Sequence, residues 1–155
     1  MDFPYRLAGR RAPDRQPVLV GAVVDEAASF ARDASLAPER VFVGGRSMGG
    51  RMCSLAVADG LAAAGLVLVS YPLHPPGRPD RPRTEHFSRL GVPCLFISGT
   101  RDAFGSPGEL EAALSGISGT VTLHWLPGGD HGLRGRDQEV AEIVASWTAG
   151  LATTG

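Results

Sequence analysis

Residues Gly45-Arg46-Ser47-Met48-Gly49 follow the apolar run Val41-Phe42-Val43 and precede Met52, Leu55 and Ala56 at helical spacing. Gly-x-Ser-x-Gly in a strand–turn–helix setting reads as a nucleophile elbow, a turn sharp enough to lift a serine hydroxyl clear of the backbone. Such a turn leaves little room beside the serine. Gly45 and Gly49 are expected to supply that room, with Gly44 and Gly50 extending it. The glycines lack P-loop spacing, and the chain has no lysine to serve a phosphate.

Outward from the elbow, apolar runs alternate with helical patterns. Residues 1–16, with Pro4, Gly9, Pro13 and several arginines, read as loop. A helix is predicted over 17–34, with Leu19, Val23, Ala27, Phe30 and Ala34 as its apolar stripe. A second is predicted over 49–59, stopped by Gly60. Residues 65–70 and 93–98 are apolar throughout, as suits strands covered on both faces. Between them lies a proline-rich loop, Pro72 to Pro82, with a short helical turn near Glu85–Arg89. Ser106-Pro107 opens a helix, 120–126 is the last strand, and 137–150 the last helix, with Val140, Ile143, Trp147 and Leu151 on one face. This alternation predicts one α/β domain with a mostly parallel sheet and helices on both faces.

A serine hydroxyl attacks a carbonyl only when a base removes its proton and a carboxylate orients that base. Ligands and catalytic groups gather at the carboxyl ends of parallel strands. There the chain offers Asp102, in Gly99-Thr100-Arg101-Asp102, and His131, in Gly128-Gly129-Asp130-His131-Gly132. Their order, Ser then Asp then His, is the one this fold uses. Each has a plainer reading: Asp102 as a turn-former, His131 as a loop residue. Order and position together favour catalysis. Asp130 is the rival carboxylate, but it adjoins His131 and is poorly placed to reach that ring. His124 alternates within a strand and reads as structural. His74 and His86 belong in or beside the proline-rich loop, where surface placement is expected, with His74 a candidate substrate contact. Arg46 and Arg51 flank the nucleophile and are candidates to hold an acidic substrate group.

Composition sets the bounds. Hydrophobic residues make up 43% of the 155 positions and the net charge is −1, which argues against disorder, nucleic-acid binding and electrostatic membrane attachment. All fifteen basic residues are arginine, and asparagine is absent as well. That bias points to a GC-rich genome, so each surface arginine carries less weight. Cys53 and Cys94 lie in apolar segments without metal-ligand spacing and read as reduced core residues. No signal peptide or membrane-length apolar run is visible, so a soluble cytoplasmic protein is expected. The predicted chemistry calls for neither cofactor nor metal.

Taken together, these residues resemble the serine α/β-hydrolase superfamily. More narrowly, they resemble the bacterial dienelactone-hydrolase-like proteins related to the testis-expressed protein 30 and KAT8 regulatory complex subunit 3 group. The matching stretches are Asp2-Phe3-Pro4-Tyr5, Gly44 to Arg51, Tyr71 to Gly77, Gly99 to Asp102 and Gly129-Asp130-His131. True dienelactone hydrolases use cysteine where this chain has Ser47, so their substrate does not carry over. The resemblance implies hydrolysis of a small ester, thioester or related acyl bond. On that resemblance Ser47, His131 and Asp102 are expected to form the triad, and Met48 to supply one oxyanion-hole N–H. It also implies that a strand, an oxyanion loop, a helix and a further strand precede the segment at Asp2–Tyr5. The expectation is therefore a domain truncated at its N-terminus, a misassigned start at Met1, or a chain completed by self-association or by a partner at an open sheet edge. The competing reading is a non-catalytic or partner-dependent remnant kept as an interaction module.

Overall fold

Four of the apolar runs become strands of one sheet. A computed structural model describes residues 1–152. The strands are β1 (Phe42–Arg46), β2 (Gly65–Val69), β3 (Cys94–Gly99) and β4 (Val121–Leu126). They lie in the order β1-β2-β3-β4, and all three pairings are parallel. The helices are α1 (Pro4–Leu7), α2 (Gln16–Asp33), α3 (Met48–Ala58), α4 (Pro107–Leu114) and α5 (Asp137–Ala152). Short 3-10 turns at Pro38–Arg40 and Phe87–Arg89 precede β1 and β3.

The pleat sorts the core into two layers. Leu66, Leu68, Cys94 and Phe96 face α2, α3 and α4 and join Leu19, Val23, Met52, Leu55, Leu110 and Leu114. Val67, Val69, Leu95 and Ile97 face the other way, where Val140, Ile143, Val144 and Trp147 of α5 cover them. Helices on both faces explain why β2 and β3 are buried at every position.

Sequence signals fix most helix ends. Pro17 sits in the first turn of α2, where its missing N–H costs nothing. Ser106 caps α4: its N–H and hydroxyl donate to the Glu109 carboxylate at 2.8 and 2.5 Å. Gly60, at φ 109°, follows α3 in a conformation that favours glycine.

Three expectations need correcting. Residues 4–7 are a helical turn rather than loop, and Tyr5 is buried beneath it. Phe30 is exposed while Ala31 is buried, because the buried face of α2 repeats every four residues from Leu19 through Val23 and Ala27 to Ala31. The first strand continues through Gly44, Gly45 and Arg46, since these pair in register with Val67, Leu68 and Val69. β1 is hydrogen-bonded to β2 alone, so it is an edge strand among the described residues. No helix among those residues is long and apolar enough to cross a membrane.

Candidate active site

Ser47 occupies the single residue between β1 and α3, at φ 51° and ψ −121°. A non-glycine residue in that region stores strain of about 1–3 kcal/mol, sustained only where the surroundings over-determine it. Here the surroundings are close contacts between strand and helix. A Cβ on Gly45 would lie 2.7 Å from the Gly49 carbonyl carbon, and one on Gly50 would lie 2.6 Å from the Gly45 oxygen. A Cβ on Gly49 would meet nothing within 4 Å. The room at the elbow is therefore required at Gly45 and Gly50, not at Gly49 as the motif suggests. The Ser47 N–H donates to the Val69 carbonyl at 2.8 Å, which fixes the turn to β2.

The loops after β3 and β4 approach just as closely. A Cβ on Gly99 would stand 2.2 Å from the Gly129 oxygen, and Arg101 N–H donates to that same oxygen at 2.9 Å. This contact brings Asp102 and His131 to Ser47. His131 Nε2 lies 2.7 Å from Ser47 Oγ. Its Nδ1 lies 2.8 and 3.0 Å from the two Asp102 carboxylate oxygens. An Nδ1–H held by the carboxylate leaves the Nε2 lone pair free to accept the serine proton. Asp102 is buried, and its Oδ1 also accepts the Phe104 N–H at 2.8 Å. The Phe104 ring stacks on the His131 imidazole at 3.9 Å between centroids. Asp130 accepts N–H bonds from Gly132 and Leu133 at 3.0 Å each, so it shapes its own turn and does not compete for His131.

Met48 opens α3, so its N–H has no carbonyl partner within the helix and sits at the positive end of the helix dipole. Two cavities reach Ser47 and Met48. One, of about 610 Å³, lies against the open side of β1 and is lined by Phe3, Tyr5, Phe30, Phe42 and Gly44. The other, of about 360 Å³, includes Arg51, Arg83 and Phe104 in its walls.

The remaining candidates are variously placed. Arg46 donates to the Gly132 carbonyl at 3.2 Å and to Asp137 at 3.0 Å, which ties β1 to the start of α5. His74 is buried rather than on the surface: Nδ1 lies 2.8 Å from the Pro75 carbonyl and Nε2 3.5 Å from Glu109. It lines neither of these two cavities. His86 is fully buried, with Nε2 2.7 Å from Ser54 Oγ, and so is not a surface residue either. Its loop folds inward because Phe87 anchors in the core beside Tyr71 and Phe96. His124 is exposed on β4. Cys53 and Cys94 are free and buried, and burial pushes their thiols up to about 11 and about 12, so both stay protonated at neutral pH.

A family model described as an alpha/beta hydrolase domain matches residues 1–153. The chain belongs to the alpha/beta hydrolase family. Its fold also recurs among solved structures at low identity. An alpha-beta serine hydrolase homologue from Coxiella burnetii is 20% identical, with a TM-score of 0.67 over 86% of this chain and 60% of the homologue. DcsB, solved with its substrate analogue, is 14% identical, with a TM-score of 0.74 over 93% of this chain and 74% of DcsB. The Bacillus cereus carboxylesterase is 19% identical, with a TM-score of 0.60 over 88% of this chain and 63% of the esterase. The chain thus spans 60% of the length of the Coxiella homologue. Within this hydrolase family, sequence reasoning missed Phe104 and Arg83. An aromatic two residues after Asp102 was the available signal for the first; nothing local marks the second.

Proposed function

We propose that this protein is a serine hydrolase that cleaves a small ester, thioester or related acyl bond through an acyl-enzyme. The observation that carries the reading is the continuous contact from Ser47 Oγ to His131 Nε2 at 2.7 Å and from His131 Nδ1 to Asp102 at 2.8 Å. Ser47 attacks the carbonyl carbon while its proton passes to His131 Nε2. The developing oxyanion accepts the Met48 N–H. Asp102 stays ionised, stabilising the imidazolium and holding its orientation. His131 then returns the proton to the leaving group as the tetrahedral species collapses. In the second half, water attacks the acyl-Ser47 carbonyl as His131 takes its proton, and the bond to Ser47 Oγ then breaks as His131 returns that proton to Oγ and the acid departs. The resemblance to dienelactone-hydrolase-like proteins supports a small substrate, and the short 72–87 segment supports an open site.

Hydrolysis of short aryl esters by wild type and Ser47→Ala tests this reading. Loss of nearly all turnover in the variant supports it; equal rates in both contradict it.

A second reading, a partner-dependent interaction module, is favoured by one observation. Among the described residues β1 pairs only with β2, and its Gly44 is exposed beside the larger cavity. Unpaired strand edges are templates for another chain. This reading predicts self-association through β1 and activity that depends on it. Full activity in a well-folded monomer counts against it.

A further inference from the structure

The smaller cavity beside Ser47 is unusual in charge. Arg51 stands one turn along α3 from Ser47, with its N–H on the Ser47 carbonyl at 3.1 Å. Its side chain is mostly buried, and its Nε has no hydrogen-bond partner among the described residues. Its only ion pair among those residues is a loose one, to Glu85 at 3.6 Å. Arg83 forms part of the same wall, and among the described residues its guanidinium makes one long hydrogen bond, to the Pro72 carbonyl at 3.5 Å. Burial and the neighbouring Arg51 both weaken its hold on its proton. The acid in the wall itself, Asp14, is already bound by Arg10 through both oxygens, at 2.7 and 3.1 Å. Arg51 therefore has only the exposed Glu85 as an ion-pair partner, and Arg83 has no ion pair among the described residues, in the wall of a cavity that also includes Ser47.

We propose that Arg51 and Arg83 form an anion subsite, and that the hydrolase takes substrates carrying a carboxylate a few bonds from the reacting carbonyl. The inference rests on the serine-hydrolase reading and names its substrate class. Two guanidiniums left without full partners cost desolvation that a bound carboxylate relieves. The planar fork of arginine suits bidentate recognition of that group. Ser47, Arg51 and Arg83 line one cavity of about 360 Å³, so a short diacid ester can set its carbonyl at Ser47 and its free carboxylate at the arginines. Arg46, the other arginine beside the nucleophile, is occupied by Gly132 and Asp137 and takes no part.

The test compares p-nitrophenyl hydrogen glutarate with p-nitrophenyl pentanoate, which has the same chain length and no charge. A second pair, 3-acetoxypropanoate and its neutral counterpart propyl acetate, places the carboxylate on the alcohol side instead. Wild type, Arg51→Gln and Arg83→Gln are assayed, and calorimetric binding of glutarate to all three is measured without turnover. The expected result is a kcat/KM at least about tenfold higher for one carboxylate ester than for its neutral counterpart. That preference, and glutarate affinity, then fall about ten- to hundredfold in each folded variant. Turnover with no preference for either anionic ester overturns the subsite and leaves the hydrolase reading intact. Glutarate binding that both variants weaken, without turnover of any ester, upholds the subsite and strikes the hydrolase reading. Glutarate that binds all three proteins alike, or none, overturns the subsite.

Discussion

Phe104 touches both partners of the nucleophile: its ring stacks on His131 at 3.9 Å and 25°, while its N–H donates to Asp102 at 2.8 Å. The stack limits rotation of the imidazole, and the backbone bond holds the carboxylate. Phe104→Ala removes the first effect and keeps the second. The expected result is about a tenfold loss in the rate at which Ser47 is acylated, since misplacing a reacting group by a fraction of an ångström is costly. Phe104→Leu should recover part of that rate. Stopped-flow acylation with an aryl ester separates the two variants.

Asp102→Asn should leave the fold intact, because an amide oxygen still accepts the Phe104 N–H. It removes the charge that stabilises the imidazolium and favours the wrong tautomer of His131. The expected loss in kcat is on the order of 10⁴. A thermal melt within a few degrees of wild type, measured alongside the rate, shows that the loss is chemical.

Gly99→Ala places a methyl group where the Gly129 carbonyl stands 2.2 Å away, so the two loops must part. Backbone cannot yield as a flexible side chain does. Destabilisation of about 1–3 kcal/mol is expected, together with loss of esterase activity. Gly49→Ala is the control: its Cβ position is open, and stability should change by less than in Gly99→Ala. Urea denaturation measures both.

His86 should make stability depend on acid pH. Burial pushes its protonation downward; Arg51 and Arg89 act in the same sense, and Glu85 and Asp59 oppose them. A depressed folded value means the unfolded chain binds the proton first. Stability is therefore full above the unfolded value of about 6.5 and falls as pH drops below it. Urea midpoints at pH 7.5 and 5.5 should differ by less in His86→Gln than in wild type.

The sequence made the parallel sheet legible because β2 and β3 are apolar throughout, and the elbow legible because glycines bracket a serine between a strand and a helix. That Ser47, Asp102 and His131 come together was legible from their order and their position at strand ends. Where β1 ends was not legible: Gly44 and Gly45 have low strand propensity, and only their pairing with Val67 and Leu68 makes them strand. Burial of His74 and His86 was also hidden. A proline-rich segment reads as surface, but contacts distant in sequence, such as His74 N–H to the Phe104 carbonyl at 3.0 Å, fold it inward. Arg83 and Arg51 lie far apart in the chain, so no local pattern joins them.

Reaction with a fluorophosphonate probe, followed by mass mapping of the adduct, tests the central claim most directly. Stoichiometric labelling at Ser47 in wild type, with none in Ser47→Ala, is the predicted result. Folded wild-type protein that takes no label at Ser47 would contradict it.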